Sequence, residues 1–218
     1  MQQTWGHQAA NVDRIRSDYQ LLPAKPVLNG EPGYENRSEQ PTSSAWKCRY
    51  EGYWSVFSGA FGYTYGADRV WQCGGEWRDA LEYEGASDMQ HLRSLMESRP
   101  MCKMIPDQSM MLSEEGDKRK EPSYCAILRA ENGSCAFVYS TMGLAFDVDL
   151  SKISGTAINA WWYSPRDGQV YNEDFEQIQT PFAVLDTKKT HMFKPPTTGQ
   201  NQDWVLVLDD SDKEYGKP

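Results

Sequence analysis

Apolar residues recur at two different spacings along this chain, and the change from one to the other divides it near residue 100. From Asn11 to Leu22 the positions Val12, Ile15, Tyr19 and Leu22 fall at helical spacing, with Asn11 placed as an N-cap. Pro26 to Leu28 then reads as a short buried strand that Gly30 and Pro32 bring to an end, leaving Glu31 at its carboxyl end. Trp46, Tyr50, Tyr53, Trp54 and Phe57 lie at i, i+4, i+7, i+8 and i+11, which predicts an amphipathic helix over about Thr42 to Ser58 whose aromatic stripe is core packing. Gly62 to Gly66 has strand chemistry bounded by glycines. Ser87-x-x-Gln90 is a capping box opening a helix with Met89, Leu92, Leu95 and Met96 inward. Alternating helices and strands predict a parallel α/β sheet. Two strands with three helices cannot close a sheet or cover their own faces, which implies further strands upstream.

Beyond Arg99-Pro100 the spacing shortens. Tyr124 to Ala130, Ser134 to Tyr139, Ala145 to Asp149, Ala157 to Tyr163, Phe182 to Leu185 and Trp204 to Leu208 are short runs separated by turn residues, among them Asn132-Gly133 and Asp167-Gly168. This predicts an antiparallel β-sandwich over 101–218, following an α/β domain over 1–100. If Asn132-Gly133 is a two-residue hairpin turn, Cys125 faces Ser140 and Ala130 faces Cys135, so the two thiols lie too far apart to bond.

Composition narrows the function classes. A net charge of −9 argues against a nucleic-acid partner, because such affinity comes largely from Lys and Arg neutralising phosphates. No apolar run approaches the roughly 20 residues of a membrane helix, and the first residues lack the basic and apolar regions of a signal peptide. The five cysteines show no C-x-x-C spacing and are expected as structural thiols. His7, His91 and His191 are isolated, so no metal or other cofactor is expected. The mixed run Glu114 to Glu121 reads as a solvated loop. Asp209 to Glu214 departs from a calcium loop, with Tyr215 where the turn glycine belongs, and reads as a solvated acidic tail.

The candidate chemistry centres on Glu31, since the carboxyl ends of parallel strands are where such folds place their reactive groups; the competing reading is a solvated turn residue. Ala67 to Gly85 is long for a loop between a strand and its helix, and it carries Trp71 and Trp77. Exposed tryptophans there suit stacking on a sugar ring, and folding back onto the core suits them equally.

These residues also carry a resemblance that covers nearly the whole chain. Lys25-Pro26-Val27-Leu28-Asn29-Gly30-Glu31-Pro32-x-Tyr34-Glu35, Arg49, Tyr53-Trp54, Gly59-Ala60-x-Gly62-Tyr63-Thr64-Tyr65-Gly66-Ala67 and Val70-Trp71 resemble the apiosidase-like glycoside hydrolases. Ile105-Pro106-Asp107-Gln108 and Trp161-Trp162-Tyr163-x-Pro165-Arg166-x-Gly168 resemble the β-domain appended to them, which bears a collagen-binding name that is not evidence of collagen binding. The resemblance implies the C-terminal portion of a (β/α)8 TIM barrel, about strands 6 to 8. Trp5-Gly6-His7 then closes the sixth strand, Glu31 ends the seventh and Gly62 to Gly66 form the eighth.

It further implies that Glu31 is one of two catalytic carboxylates, the nucleophile or base, with its acid partner on an earlier strand that this chain does not contain. His7, Tyr34, Glu35, Tyr65 and Trp71 are the implied substrate-binding residues, Glu35 in a supporting role that orients Tyr34 or binds a sugar hydroxyl. Asn29 stands where the family commonly has Asp. The implied substrate is a plant or other complex polysaccharide or oligosaccharide, the implied setting secreted or periplasmic. The implied condition of the isolated chain is inactivity, self-association or assembly with a missing N-terminal half. The alternative is a carbohydrate- or protein-binding accessory module carried by the β-sandwich.

Overall fold

Three short parallel strands organise the first part of the protein. In the computed structural model, which describes residues 1–3, 8–37, 44–113, 123–187 and 190–218, β1 (Gln2–Gln3) and β3 (Gly62–Tyr63) flank β2 (Leu28–Glu31). Leu28 lies opposite Gly62 and Gln3 opposite Glu31. The chain divides into two compact units, Met1–Leu92 and Arg93–Pro218.

Helix α1 (Gln8–Tyr19) precedes β2 and buries Val12 and Ile15 fully. It starts earlier than the sequence pattern predicts, so Asn11 is inside the helix and not its cap. It also stops at Tyr19, before Pro23, so Leu22 lies beyond the helix and is 89% exposed.

Helix α2 (Ala45–Phe57) is capped by Ser44, whose hydroxyl accepts the Lys47 N–H at 3.3 Å. Its aromatic stripe packs as predicted: Tyr53, Trp54 and Phe57 are fully buried, and the rings pair at i, i+4, Tyr50 with Trp54 at 4.8 Å and Tyr53 with Phe57 at 5.8 Å. The helix is nonetheless buried almost all round, Lys47, Arg49 and Glu51 included, which an amphipathic pattern does not predict.

The predicted strand over Gly62 to Gly66 is interrupted. Gly62 and Tyr63 pair with β2, and Thr64 still donates its N–H to the Asn29 carbonyl at 3.0 Å. The chain then turns to the segment beyond Glu31: Glu35 N donates to Gly66 O, Asp68 N donates to Glu35 O, and Glu35 bridges Ala67. Helix α3 (Glu84–Glu97) begins before the predicted capping box, which puts Ser87 within the helix and Leu92, Leu95 and Met96 in buried positions.

The second unit is antiparallel. Strands β4 (Met104–Pro106), β5 (Cys125–Ala130), β6 (Cys135–Ser140), β12 (Trp204–Asp210), β8 (Ala157–Tyr163) and β10 (Ala183–Asp186) follow one another across a sheet that β9 (Val170–Tyr171) joins through β8. A second sheet pairs β7 (Phe146–Asp149) with β11 (Thr190–Phe193). One core joins the two sheets, with Trp162 stacked on Phe182 and meeting Phe146 and Phe193 edge-on. All six predicted strands are present, while β4, β9 and β11 are additional.

Cys125 lies opposite Ser140 as the hairpin register requires, and all five cysteines are free. The turn itself is shifted by one residue: Gly133 donates its N–H to Ala130 O at 2.9 Å and takes φ +75°, so Glu131 and Asn132 are its central residues. The predicted solvated tail is corrected more sharply. Asp209 and Asp210 belong to β12 and are buried, because Arg99 takes the Asp209 carboxylate through two hydrogen bonds while Ser154 donates to Asp210 at 2.6 Å. Glu114 to Glu121 lie outside the described residues.

Candidate active site

Glu31 ends the central strand of the parallel sheet, half-buried, with the Tyr34 hydroxyl donating to its Oε1 at 3.4 Å. Burial and the neighbouring Glu31 charge together raise the Tyr34 phenol above its ordinary value, so Tyr34 stays a donor at any physiological pH. Gly66 is where Tyr34 gets its room, since a β-carbon there would strike the phenol ring. Beneath the strand, Asn29 is fully buried and donates from Nδ2 to Ser55 Oγ at 3.0 Å. Ser55 spends its own proton on the Glu51 carbonyl at 2.6 Å, so its oxygen requires a donor at this point. Asparagine supplies one where an ionised aspartate would not.

The predicted binding residues separate into three groups. Tyr34, Tyr65 and Trp71 line one cavity of about 310 Å³ whose wall also includes Gly30, the residue before Glu31. Glu35 is not on that wall: it is buried, and its Oε2 accepts from the Tyr65 hydroxyl at 2.6 Å and from the Gly85 N–H at 3.0 Å. It therefore orients Tyr65, not Tyr34. Burial raises its carboxyl above the usual range, while those two hydrogen bonds pull it back. His7 lies outside the described residues, as do Trp5 and Gly6.

The two loop tryptophans take different positions. Trp71 is 60% exposed and lines the cavity, whereas Trp77 is partly covered by Arg78, whose guanidinium sits 4.3 Å from the ring centre. Short 3₁₀ turn Asp79–Glu82 in the same loop supplies Ala80 and Leu81 to the cavity wall.

The fully buried charged groups on α2, Arg49 and Glu51, were not visible to pattern reading. Arg49 pairs with Asp88 of α3 at 2.6 Å, both essentially without solvent access. Glu51 is fully buried and receives the Gly33 N–H at 3.2 Å, tying α2 to the loop that carries Tyr34. Desolvation pushes its carboxyl up to about 7 against the weaker pull of Lys47. Among the described residues, no group of three or more His, Cys, Asp or Glu side chains could hold a metal ion, and no helix is long and apolar enough to cross a membrane.

Comparison with known proteins assigns the two parts separately. Residues 1–103 match the family described as "Apiosidase-like, catalytic domain", and residues 105–209 match "Putative collagen-binding domain of a collagenase". The first half of the chain is thus similar to apiosidase-like catalytic domains and the second to a collagen-binding-type domain. A solved glycoside hydrolase is 31% identical, with a TM-score of 0.81, over 97% of this chain and 48% of its own. The crystal structure of a glycoside hydrolase family 5 protein from Bacteroides vulgatus ATCC 8482 is 28% identical, with a TM-score of 0.84, over 100% of this chain and 50% of its own. The chain thus spans about half the length of either structure. No curated protein matches it.

Proposed function

We propose that this chain is the C-terminal portion of a (β/α)8 glycoside hydrolase barrel, about strands 6 to 8, joined to an antiparallel β-sandwich, and that Glu31 is the nucleophile or base of its carboxylate pair. The observation that carries this reading is Glu31 at the carboxyl end of the central parallel strand, reached by the Tyr34 hydroxyl at 3.4 Å beside an aromatic-lined cavity. Tyr34 holds the carboxylate, and Tyr65 and Trp71 offer faces to the part of the substrate that enters the cavity; the sugar cleaved belongs to a plant or other complex carbohydrate in a secreted or periplasmic setting. The acid partner comes from an earlier strand, so the 218-residue chain is inactive alone. As a test, the chain is assayed on plant oligosaccharides by itself and with the N-terminal barrel half of the family 5 relative supplied in trans. Turnover is expected only in the second case, with Glu31→Gln lowering it at least ~10²-fold. Turnover by the chain alone sinks the fragment reading, and full activity of E31Q sinks the role of Glu31.

A second reading places binding in the β-domain. It is favoured by Phe175, 49% exposed at φ +62° and stacked on Tyr171 at 4.8 Å, an aromatic presented from a backbone region that side chains rarely adopt. Binding to a glycan array that disappears with Phe175→Ala is its expected result; an unchanged binding pattern in that variant removes it.

A further inference from the structure

The cavity beside Glu31 is chemically one-sided. Among the described residues, none that lines it carries a charge, and both tyrosine hydroxyls on its wall are engaged elsewhere, that of Tyr34 on Glu31 and that of Tyr65 on Glu35. The rest of the described wall is largely Val70, Trp71, Ala80, Leu81 and Ala86, with the Thr64 hydroxyl beside them. A pyranose placed inside would bury several hydroxyls with too few partners, at ~1–3 kcal/mol for each one left unsatisfied. An apolar ring needs no such partners. Trp71 and Leu81 stand 60% and 51% exposed at the cavity, surface that a flat apolar group would cover.

We propose that this cavity is an aglycone site that takes an aromatic group, with the sugar lying on the Glu31 side and Tyr34 dividing the two. The proposal rests on the glycosidase reading for the word aglycone, and on the cavity alone for its preference for an aromatic ring. A polysaccharide main chain, by this argument, is held elsewhere than in the cavity. The sugar-stacking role of Trp71 becomes stacking on an aryl ring.

The test compares phenyl β-D-xylopyranoside with methyl β-D-xylopyranoside on the 218-residue chain, by saturation-transfer NMR and calorimetric titration. Saturation is expected to concentrate on the phenyl protons, and the phenyl glycoside to bind about tenfold tighter than the methyl one. Trp71→Ala and Leu81→Gln are each expected to lose most of that preference without shifting the thermal unfolding midpoint, since both side chains are largely exposed. Equal affinity for the two glycosides overturns the proposal, as does a phenyl preference that survives both substitutions. Failure here is distinct from failure of the glycosidase reading. Activity that depends on Glu31 in the complemented enzyme, without a phenyl preference, removes only the aryl site; a phenyl preference without Glu31-dependent activity removes only the glycosidase role.

Discussion

The Tyr65 hydroxyl donates to Glu35 Oε2 at 2.6 Å, on the same oxygen that receives the Gly85 N–H at 3.0 Å. One buried carboxyl oxygen therefore joins the loop after β3 to the first turn of α3, where a negative charge is favoured by the free backbone N–H groups. Tyr65→Phe is expected to cost about 1–2 kcal/mol in urea unfolding, because it leaves Glu35 short of a donor. Gly85→Ala is the sharper test. In an open helix the change would add up to ~1 kcal/mol of stability, but here the new methyl would meet Glu35 Oε2, so a net loss is expected. A stabilised G85A variant would show that the carboxyl is not held where it is described.

Glu51 gives the protein a pH dependence of definite sign. Its carboxyl is raised from 4.5 to about 7 by burial, so the folded state binds the proton more tightly than the unfolded one. The associated stability is fully present below 4.5 and is lost as pH rises through 7, a change of ~3 kcal/mol. Asp107 acts in the opposite sense and in a separate window: held down to about 2 by Ser109, Arg129 and Lys152 against its own burial, it contributes above 3.8 and is lost as pH falls through 2. Denaturant titrations between about pH 5 and 8 are expected to show falling stability in the parent chain and a flatter profile in Glu51→Gln, which keeps an acceptor for Gly33. A parent profile that is level or rising across that range contradicts a neutral, buried Glu51.

How far the fold was legible depended on whether a residue follows its own pattern or a partner distant in sequence. The α2 stripe and the six strands of the second unit were readable because apolar spacing tracks burial directly. Arg49, Glu51 and Asp209 were not, since charge patterning assigns such residues to solvent and only a facing Asp88, Gly33 or Arg99 reverses that. Ser87 misled for a related reason: a capping box is a local motif, and α3 instead starts at Glu84, next to the N–H that Glu35 receives. At the site, the place of Glu31 at the carboxyl end of a strand was legible, but the strand's bounds were not: it runs over Leu28–Glu31 with Gly30 inside it, where the sequence pattern ends it at Leu28. Trp71 and Trp77 could not be told apart, because Arg78 covering one of them is a matter of loop conformation.

Arg99 and Asp209, 110 residues apart, test the largest departure from the sequence expectation. Arg99 Nε and Nη2 meet the two Asp209 oxygens at 2.8 and 2.7 Å, Nη2 also donates to the Gly216 carbonyl, and the Tyr215 ring lies 5.0 Å from the guanidinium. Burial raises the Asp209 carboxyl and Arg99 pulls it back, so removing the arginine leaves a desolvated acid without its counter-charge. Arg99→Met is expected to cost about 3–5 kcal/mol in guanidinium unfolding, and adding Asp209→Leu to recover much of it, because two apolar groups need no pairing. The double mutant must therefore be more stable than Arg99→Met alone. A single substitution costing under ~1 kcal/mol, the usual size for an exposed ion pair, would return Asp209 to the solvated tail that the sequence suggests.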